Sequence, residues 1–238
     1  MVIYWRDAEV HRMNGTPCGL TAKYIANSQF IASFYKKNFD VDSTIIPPLI
    51  ERERYLAPQR TKRFVVFVGT VPEKGLALAM KIARLCPDIP FKFVESWILP
   101  LKRKNIVKAA LRSLPNVNFV PYQTSMLGVY GYARLLLAPS QWEEGWGRVA
   151  SEAHINGIPV VGSRIGGLTE AIGRGGVLID PKAPATDWAE VIKSLWYDGT
   201  AYQRLSREAE EYSHREDLNP DWAINRIVNV LKQAISHS

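Results

Sequence analysis

The sequence predicts an α/β fold: a parallel sheet with helices on both faces, a reduced N-terminal region before it and a helix after it. Three observations carry this. Strand-like and helix-like patterns alternate from residue 63 to residue 179, as a parallel sheet with crossover helices requires. The apolar run from Leu135 to Pro139 reads as a strand buried on both faces. Three polar or glycine-bearing loops each follow a strand end, on the rim where open parallel sheets hold ligands.

The elements follow in order. Val2–Trp5 and Lys23–Ala26 read as short strands, with a loop from His11 to Gly19 between them. Asn27 and Ser28 suit a helix cap, Phe30, Ile31 and Phe34 recur at helical spacing, and Lys36 and Lys37 supply the cations that favour a helix C-terminus. Ser43–Ile46 is a strand stopped by Pro47 and Pro48, and residues 51–62, charged and carrying Pro58, read as a linker. Then come the strand Arg63–Val68, the helix Glu73–Leu85, the strand Phe91–Glu95 and the basic helix Leu101–Arg112. Asn116–Val120, Ser125–Tyr132 and Arg134–Ala138 read as strand, short helix and strand. A glycine-bearing loop leads into a helix that ends near Asn156 and Gly157, with Gly157 as C-cap. Ile158–Val161, Gly167–Ile172 and Gly176–Ile179 complete the alternation as strand, helix and strand. Helices near Ala185–Trp196 and Ala201–Tyr212 follow, and Asn219 to Asp221 cap a last helix through Ile235. Its Trp222, Ile224, Ile227, Val228, Leu231 and Ile235 make one apolar stripe. The domain reading is therefore 1–50, a 51–62 linker, 63–216 and 217–238.

Composition narrows the function classes. The chain has 238 residues, 47% of them hydrophobic, enough for a packed core but short for two equal α/β domains. It has no apolar stretch of membrane-spanning length and no signal-peptide pattern at its start. Cys18 and Cys86 show no metal-like spacing, and the expectation is a cytoplasmic protein without a disulfide framework. A net charge of +7 favours anionic partners. The basic run Lys102, Arg103, Lys104, Lys108 and Arg112 suits a solvated helix face, nucleic acid or anionic lipid heads. No aromatic single-strand platform or helix-turn-helix signature accompanies it, so nucleic acid rests on charge alone. His11, His154, His214 and His237 lack zinc spacing, and the chain has no G-x-S-x-G elbow, P-loop or G-x-G-x-x-G fingerprint.

The chemistry concentrates between Ser140 and Ala153. Glu144 precedes a helix and Glu152 falls in its second turn, with Gly145 and Gly147 around Trp146 between them. Backbone N–H groups at a helix start, with glycines that admit a ligand closely, suit an anion. Two flanking carboxylates suit hydroxyls. A sugar nucleotide has both parts. Glu143 stands beside Glu144, and local pattern does not choose between them. Arg148 suits a phosphate or a base, or simply the surface. Lys74, on the loop after the Val65–Val68 run, suits a leaving diphosphate. A solvated lysine in a helix first turn is the competing reading.

These residues resemble the family 4 glycosyltransferases, retaining enzymes of the GT-B fold. The resemblance runs through Val68–Leu76, Asn118–Val120, Leu137–Ser140, Glu144–Arg148, Glu152–Ala153, Gly157–Val161 and Gly166–Glu170. Tyr24–Ser28 and Ile45–Pro48 look like the segment that closes the family's N-terminal domain. The resemblance implies a Rossmann-like donor domain, the C-terminal half of a GT-B fold, with Glu144 on the donor sugar and Glu152 on the ribose. The backbone of Gly145, Trp146, Gly147, Arg148 and Val149 would hold sugar and diphosphate, with Gly69 and Thr70 beside them. Lys74 would stabilise the departing diphosphate. It implies transfer of a hexose from a UDP- or GDP-sugar with retention, no metal and no cofactor besides the donor.

Two departures stand out. The family places an arginine five residues before the lysine, where this chain has Gly69. The donor-like part begins at residue 63, so the acceptor half is reduced, and no histidine role passes to His11. The expectation is an acceptor site, for a glycan, a lipid-linked acceptor or a protein, that a homodimer mate or partner subunit completes. The alternative is a non-catalytic nucleotide-sugar-binding module. Peripheral contact with an anionic membrane accompanies either reading.

Overall fold

The computed structural model describes residues 1–8 and 22–236. His11, Cys18, His237 and the loop expected from His11 to Gly19 lie outside the described residues. In chain order the N-terminal elements are β1 (Val2–Trp5), β2 (Lys23–Ala26), α1 (Gln29–Phe39) and β3 (Ser43–Ile45). The strands form a parallel sheet in the order β1-β2-β3. Ser28 caps α1, its Oγ accepting the Ile31 N–H at 3.0 Å. Trp5, Tyr24 and Tyr35 stack beneath it.

The chain then enters β4 (Phe64–Val68), α2 (Leu76–Leu85), β5 (Phe91–Val94), α3 (Leu101–Leu111), β6 (Val117–Val120), α4 (Leu127–Tyr132) and β7 (Ala133–Ala138). It continues through α5 (Arg148–His154), β8 (Val160–Ser163), α6 (Leu168–Ile172), β9 (Gly176–Ile179), α7 (Ala185–Tyr197), α8 (Gly199–Tyr212) and α9 (Pro220–Ser236). The second sheet has the order β6-β5-β4-β7-β8-β9, with every pairing parallel. Counted within this sheet, that is the doubly wound order 3-2-1-4-5-6, which reverses direction between β4 and β7.

Alternation along the strands sends side chains to both faces. Val65, Phe67, Leu135 and Leu137 join a core with α2, α3 and α7, while Val66, Leu136 and Val160 join one with α4, α5 and α6. This is why the 135–139 run carries no polar alternation. α9 returns to β1 and β2, burying Ala223 and Val230 against Ile25 and Ile46.

The sequence expectations hold in type and shift at the ends. The helix expected from Glu73 splits into a 3-10 turn, Pro72–Lys74, and α2, because Gly75 takes φ +82° between them. α5 ends at His154 rather than near Asn156, and Gly157 turns the chain with φ +61°. The stripe on α9 is half covered: Ile224, Val228, Leu231 and Ile235 stay exposed, because the three-stranded sheet reaches only one flank of the helix.

Candidate functional site

The reversal of strand order opens a crevice above the carboxyl ends of β4 and β7. A cavity of about 960 Å³ lies there, lined by Lys74, Glu144, Gly145, Trp146, Gly147, Arg148, Val149 and Glu152 among others. Arg6, Asp7 and Asn27 reach it from the N-terminal sheet.

Lys74 sits at the end of the 3-10 turn and Glu144 on the loop after β7. Lys74 Nζ lies 2.7 Å from Glu144 Oε2 and 5.9 Å from the centre of the Trp142 ring. Both Glu143 and Glu144 line the cavity, but Glu144 is buried and paired with Lys74 whereas the adjacent Glu143 is exposed. The backbone carries Glu144 in a vice: its carbonyl accepts the Gly167 N–H at 2.7 Å, and Gly145 lies so close to the Arg6 carbonyl that a Cβ there would collide with it. Gly147 starts α5 with φ +93°, a conformation that favours glycine.

α5 has seven residues, so the fields of Lys74 and Arg148 outweigh a short helix dipole at this end of the cavity. Glu152, in the second turn of α5, is buried. Its Oε2 accepts the Tyr130 hydroxyl at 2.7 Å, and its Oε1 lies 3.5 Å from Arg148 Nε. Arg148 also donates to the Tyr55 hydroxyl and the Leu49 carbonyl. Burial raises the Glu152 carboxyl above its usual value against the hydrogen bonds it accepts. Burial, with the Glu152 charge next, pushes the Tyr130 phenol well above 10.0.

The remaining expected residues play different parts. Gly69 and Thr70 stand beside the cavity rather than in its wall. Gly69 takes φ +110°, and a Cβ there would meet Lys74 Cγ at 2.7 Å, so the place of the family's arginine is filled by the stem of Lys74. Thr70 is buried, and its Oγ1 has no partner among the described residues. The Trp146 indole is buried and donates to Ser151 Oγ at 3.0 Å, which leaves its backbone to face a ligand. His154 is fully buried, and burial lowers its pKa to about 3, so it stays a neutral core residue. Among the described residues no group of His, Cys, Asp or Glu comes together as a metal-ligand set.

Sequence reasoning missed three groups. Tyr130 and Tyr55 brace Glu152 and Arg148; a tyrosine inside an otherwise apolar short helix was the available signal for the first. Glu95 lines the cavity. Burial alone would raise its carboxyl; the Leu99 N–H, Lys104 and the Tyr122 N–H outweigh burial and hold it below the usual value. Glu170 Oε2 and Oε1 accept the N–H groups of Gln29 and Phe30, each at 2.8 Å, joining α6 to the start of α1.

Known proteins share this fold. The profile of the family described as Glycosyl transferases group 1 matches residues 51–212. A D-inositol 3-phosphate glycosyltransferase of Arthrobacter is 30% identical over 225 residues, covering 85% of this chain and 53% of that protein. The counterpart from Pseudarthrobacter chlorophenolicus is 27% identical over 228 residues, covering 86% and 53%. The chain thus spans about half the length of these curated relatives. Among solved structures, Anabaena HepE in complex with UDP and glucose superposes with a TM-score of 0.79 at 18% identity, covering 97% of this chain and 71% of that one. A glycosyltransferase from Rickettsia africae gives 0.79 at 15% identity, covering 92% and 65%.

Proposed function

The chain belongs to the group 1 glycosyl transferases, and from that premise we propose that its cleft holds a nucleoside diphosphate sugar and transfers the hexose with retention of anomeric configuration. The observation that carries this reading is the Lys74–Glu144 pair at the sheet's switch point, with Glu152 one helical turn beyond the same loop. In the proposed reaction Glu152 accepts ribose hydroxyls and Glu144 a sugar hydroxyl. Lys74, Arg148 and the 145–149 backbone hold the diphosphate.

The bond from the anomeric carbon to the diphosphate breaks, and the bond to the acceptor oxygen forms on the same face. A diphosphate oxygen takes the acceptor proton. Negative charge grows on the diphosphate as its bond breaks, so a fixed cation at Lys74 favours the transition state over the bound donor. The protein's share is positioning and charge stabilisation, and the reading calls for no metal. UDP- and GDP-sugars are the donors to test.

Arg6, Asp7 and Asn27 line the cavity from the N-terminal side, and on this reading they face the acceptor. The names of the relatives make D-inositol 3-phosphate the first acceptor to try, followed by glycan, lipid-linked and protein acceptors. A second reading rests on the N-terminal sheet, which has three strands among the described residues. On that reading the chain is a nucleotide-sugar-binding module, and a second copy or a partner subunit completes the acceptor site. Calorimetric titration with UDP- and GDP-sugars, followed by hydrolysis and transfer assays, separates the two. Turnover supports the enzyme; binding without turnover under every acceptor supports the module; no binding of either nucleotide removes both.

A further inference from the structure

The segment from Trp97 to Arg112 contributes an outer face that the core does not use. Leu99, Val107 and Leu111 point inward and are buried, at 5% exposure each. On the outside, Trp97, Ile98, Leu101 and Ile106 are 49%, 74%, 74% and 61% exposed. Lys102, Arg103, Lys108 and Arg112 are exposed among them, and no acidic residue occurs between Ser96 and Asn116. The nearest carboxylate, Glu95, is buried and neutralised by Lys104 at 2.9 Å. The segment therefore carries apolar side chains on its inner and outer faces alike, and the outer ones stay exposed.

We infer that this face docks the protein on an anionic lipid bilayer. The cations meet lipid headgroups electrostatically. Ile98, Leu101 and Ile106 enter the acyl boundary, and Trp97 sits at the headgroup level that indole rings favour. Long basic side chains lay their stems along apolar surface and keep their charges at the interface. Aliphatic side chains cannot stack on bases, so single-stranded nucleic acid would use the cations and waste the rest. A second copy of the chain is disfavoured because the face would bring like charges together. Trp97 also lines the cavity, so docking sets the mouth of the cleft at the lipid surface. The inference stands apart from the reaction proposed above and needs no donor to be tested.

The test is co-sedimentation of the purified chain with phosphatidylcholine vesicles and with mixed phosphatidylcholine–phosphatidylglycerol vesicles, at low and high salt. The expected result is binding to the mixed vesicles only, weakened by salt. Ile98→Ser with Leu101→Ser, and separately Lys102→Glu with Arg103→Glu, should each lower the bound fraction at least about tenfold. All four positions are exposed, and circular dichroism melts check that both variants fold. Absence of binding to anionic vesicles, or binding unchanged in both variants, overturns the inference. So does retention of a single-stranded RNA, lost on Lys102→Glu with Arg103→Glu, by a chain that leaves vesicles in suspension.

Discussion

Lys74 Nζ stands 2.7 Å from Glu144 Oε2 across the switch point of the sheet, so the two groups that would share the donor hold each other in place before it arrives. Removing either leaves the other buried or half-buried without its main counter-charge. Lys74→Ala should lower turnover by about 100-fold or more, the scale of losing one fixed stabiliser of developing negative charge. Donor affinity should fall far less. Initial rates beside calorimetric binding check this, and equal losses in both would remove Lys74 from the bond-breaking step.

On the proposed reading Glu152 accepts the ribose hydroxyls. Glu152→Ala removes a charged acceptor, and nucleotide binding should weaken roughly 10- to 100-fold. The sign of its pH effect follows from burial, which raises the folded carboxyl above 4.5. The native state then takes up a proton at higher pH than the unfolded chain. That contribution to stability is present below the unfolded value and is lost as pH rises through the folded one. Nucleotide binding, which needs the ionised form, should behave oppositely and weaken as pH falls through the raised value. Glu152→Gln should abolish both trends, as measured by titration calorimetry and urea unfolding across mildly acidic pH.

The Glu170 carboxylate accepts the N–H groups of Gln29 and Phe30 at 2.8 Å each. It therefore ties the N-terminal sheet to the helix whose first residues press on the Glu144 loop. A carboxylate on free N–H groups at a helix start stabilises by hydrogen bonding and by charge. Glu170→Ala should cost about 1 to 2 kcal/mol in chemical unfolding, and Glu170→Gln should recover part of that. A loss below a few tenths would show that the clamp does not hold in solution.

His154 is the one histidine the fold encloses completely among the described residues, and burial brings its pKa to about 3. The unfolded chain binds a proton near 6.5 and the native state does not. This stability is present above the unfolded value and is lost progressively as pH falls from 6.5 toward 3. The imidazole carbon resonances of His154 should stay at their neutral positions between about pH 5 and 8. Titration of His154 in that window would place water against it.

How far the sequence could be read depended on the range of each interaction. The parallel sheet, its order of elements and the Glu144–Glu152 spacing are local patterns, and β7 and the start of α5 appear where those patterns put them, while α5 ends at His154, short of the expected Asn156. Glu143 and Glu144 are alike in sequence; only the loop's passage between Arg6 and Gly167 turns one inward. The Glu170 clamp joins positions 141 residues apart, and the Tyr130–Glu152 bond joins a short helix to one that follows a strand later. Neither has a periodic signature. Gly69 looked like a missing cation, and only the packing of the Lys74 stem shows why a side chain has no room there.

Gly145 supplies the last test. Its φ lies outside the left-handed region, so backbone freedom does not demand glycine. Space does, because a Cβ would collide with the Arg6 carbonyl and approach Asn27 Nδ2 at 3.0 Å. Asn27 donates to that same carbonyl at 3.0 Å, so the end of β1 has little room to retreat. Gly145→Ala should therefore push the N-terminal sheet from the Glu144 loop, at a cost of about 1 to 3 kcal/mol typical of overpacking. Donor binding should weaken as the Lys74–Glu144 pair loses its support. Chemical unfolding and donor titration of the variant measure both effects. Wild-type stability with wild-type donor affinity would mean that β1 does not press on this loop in solution.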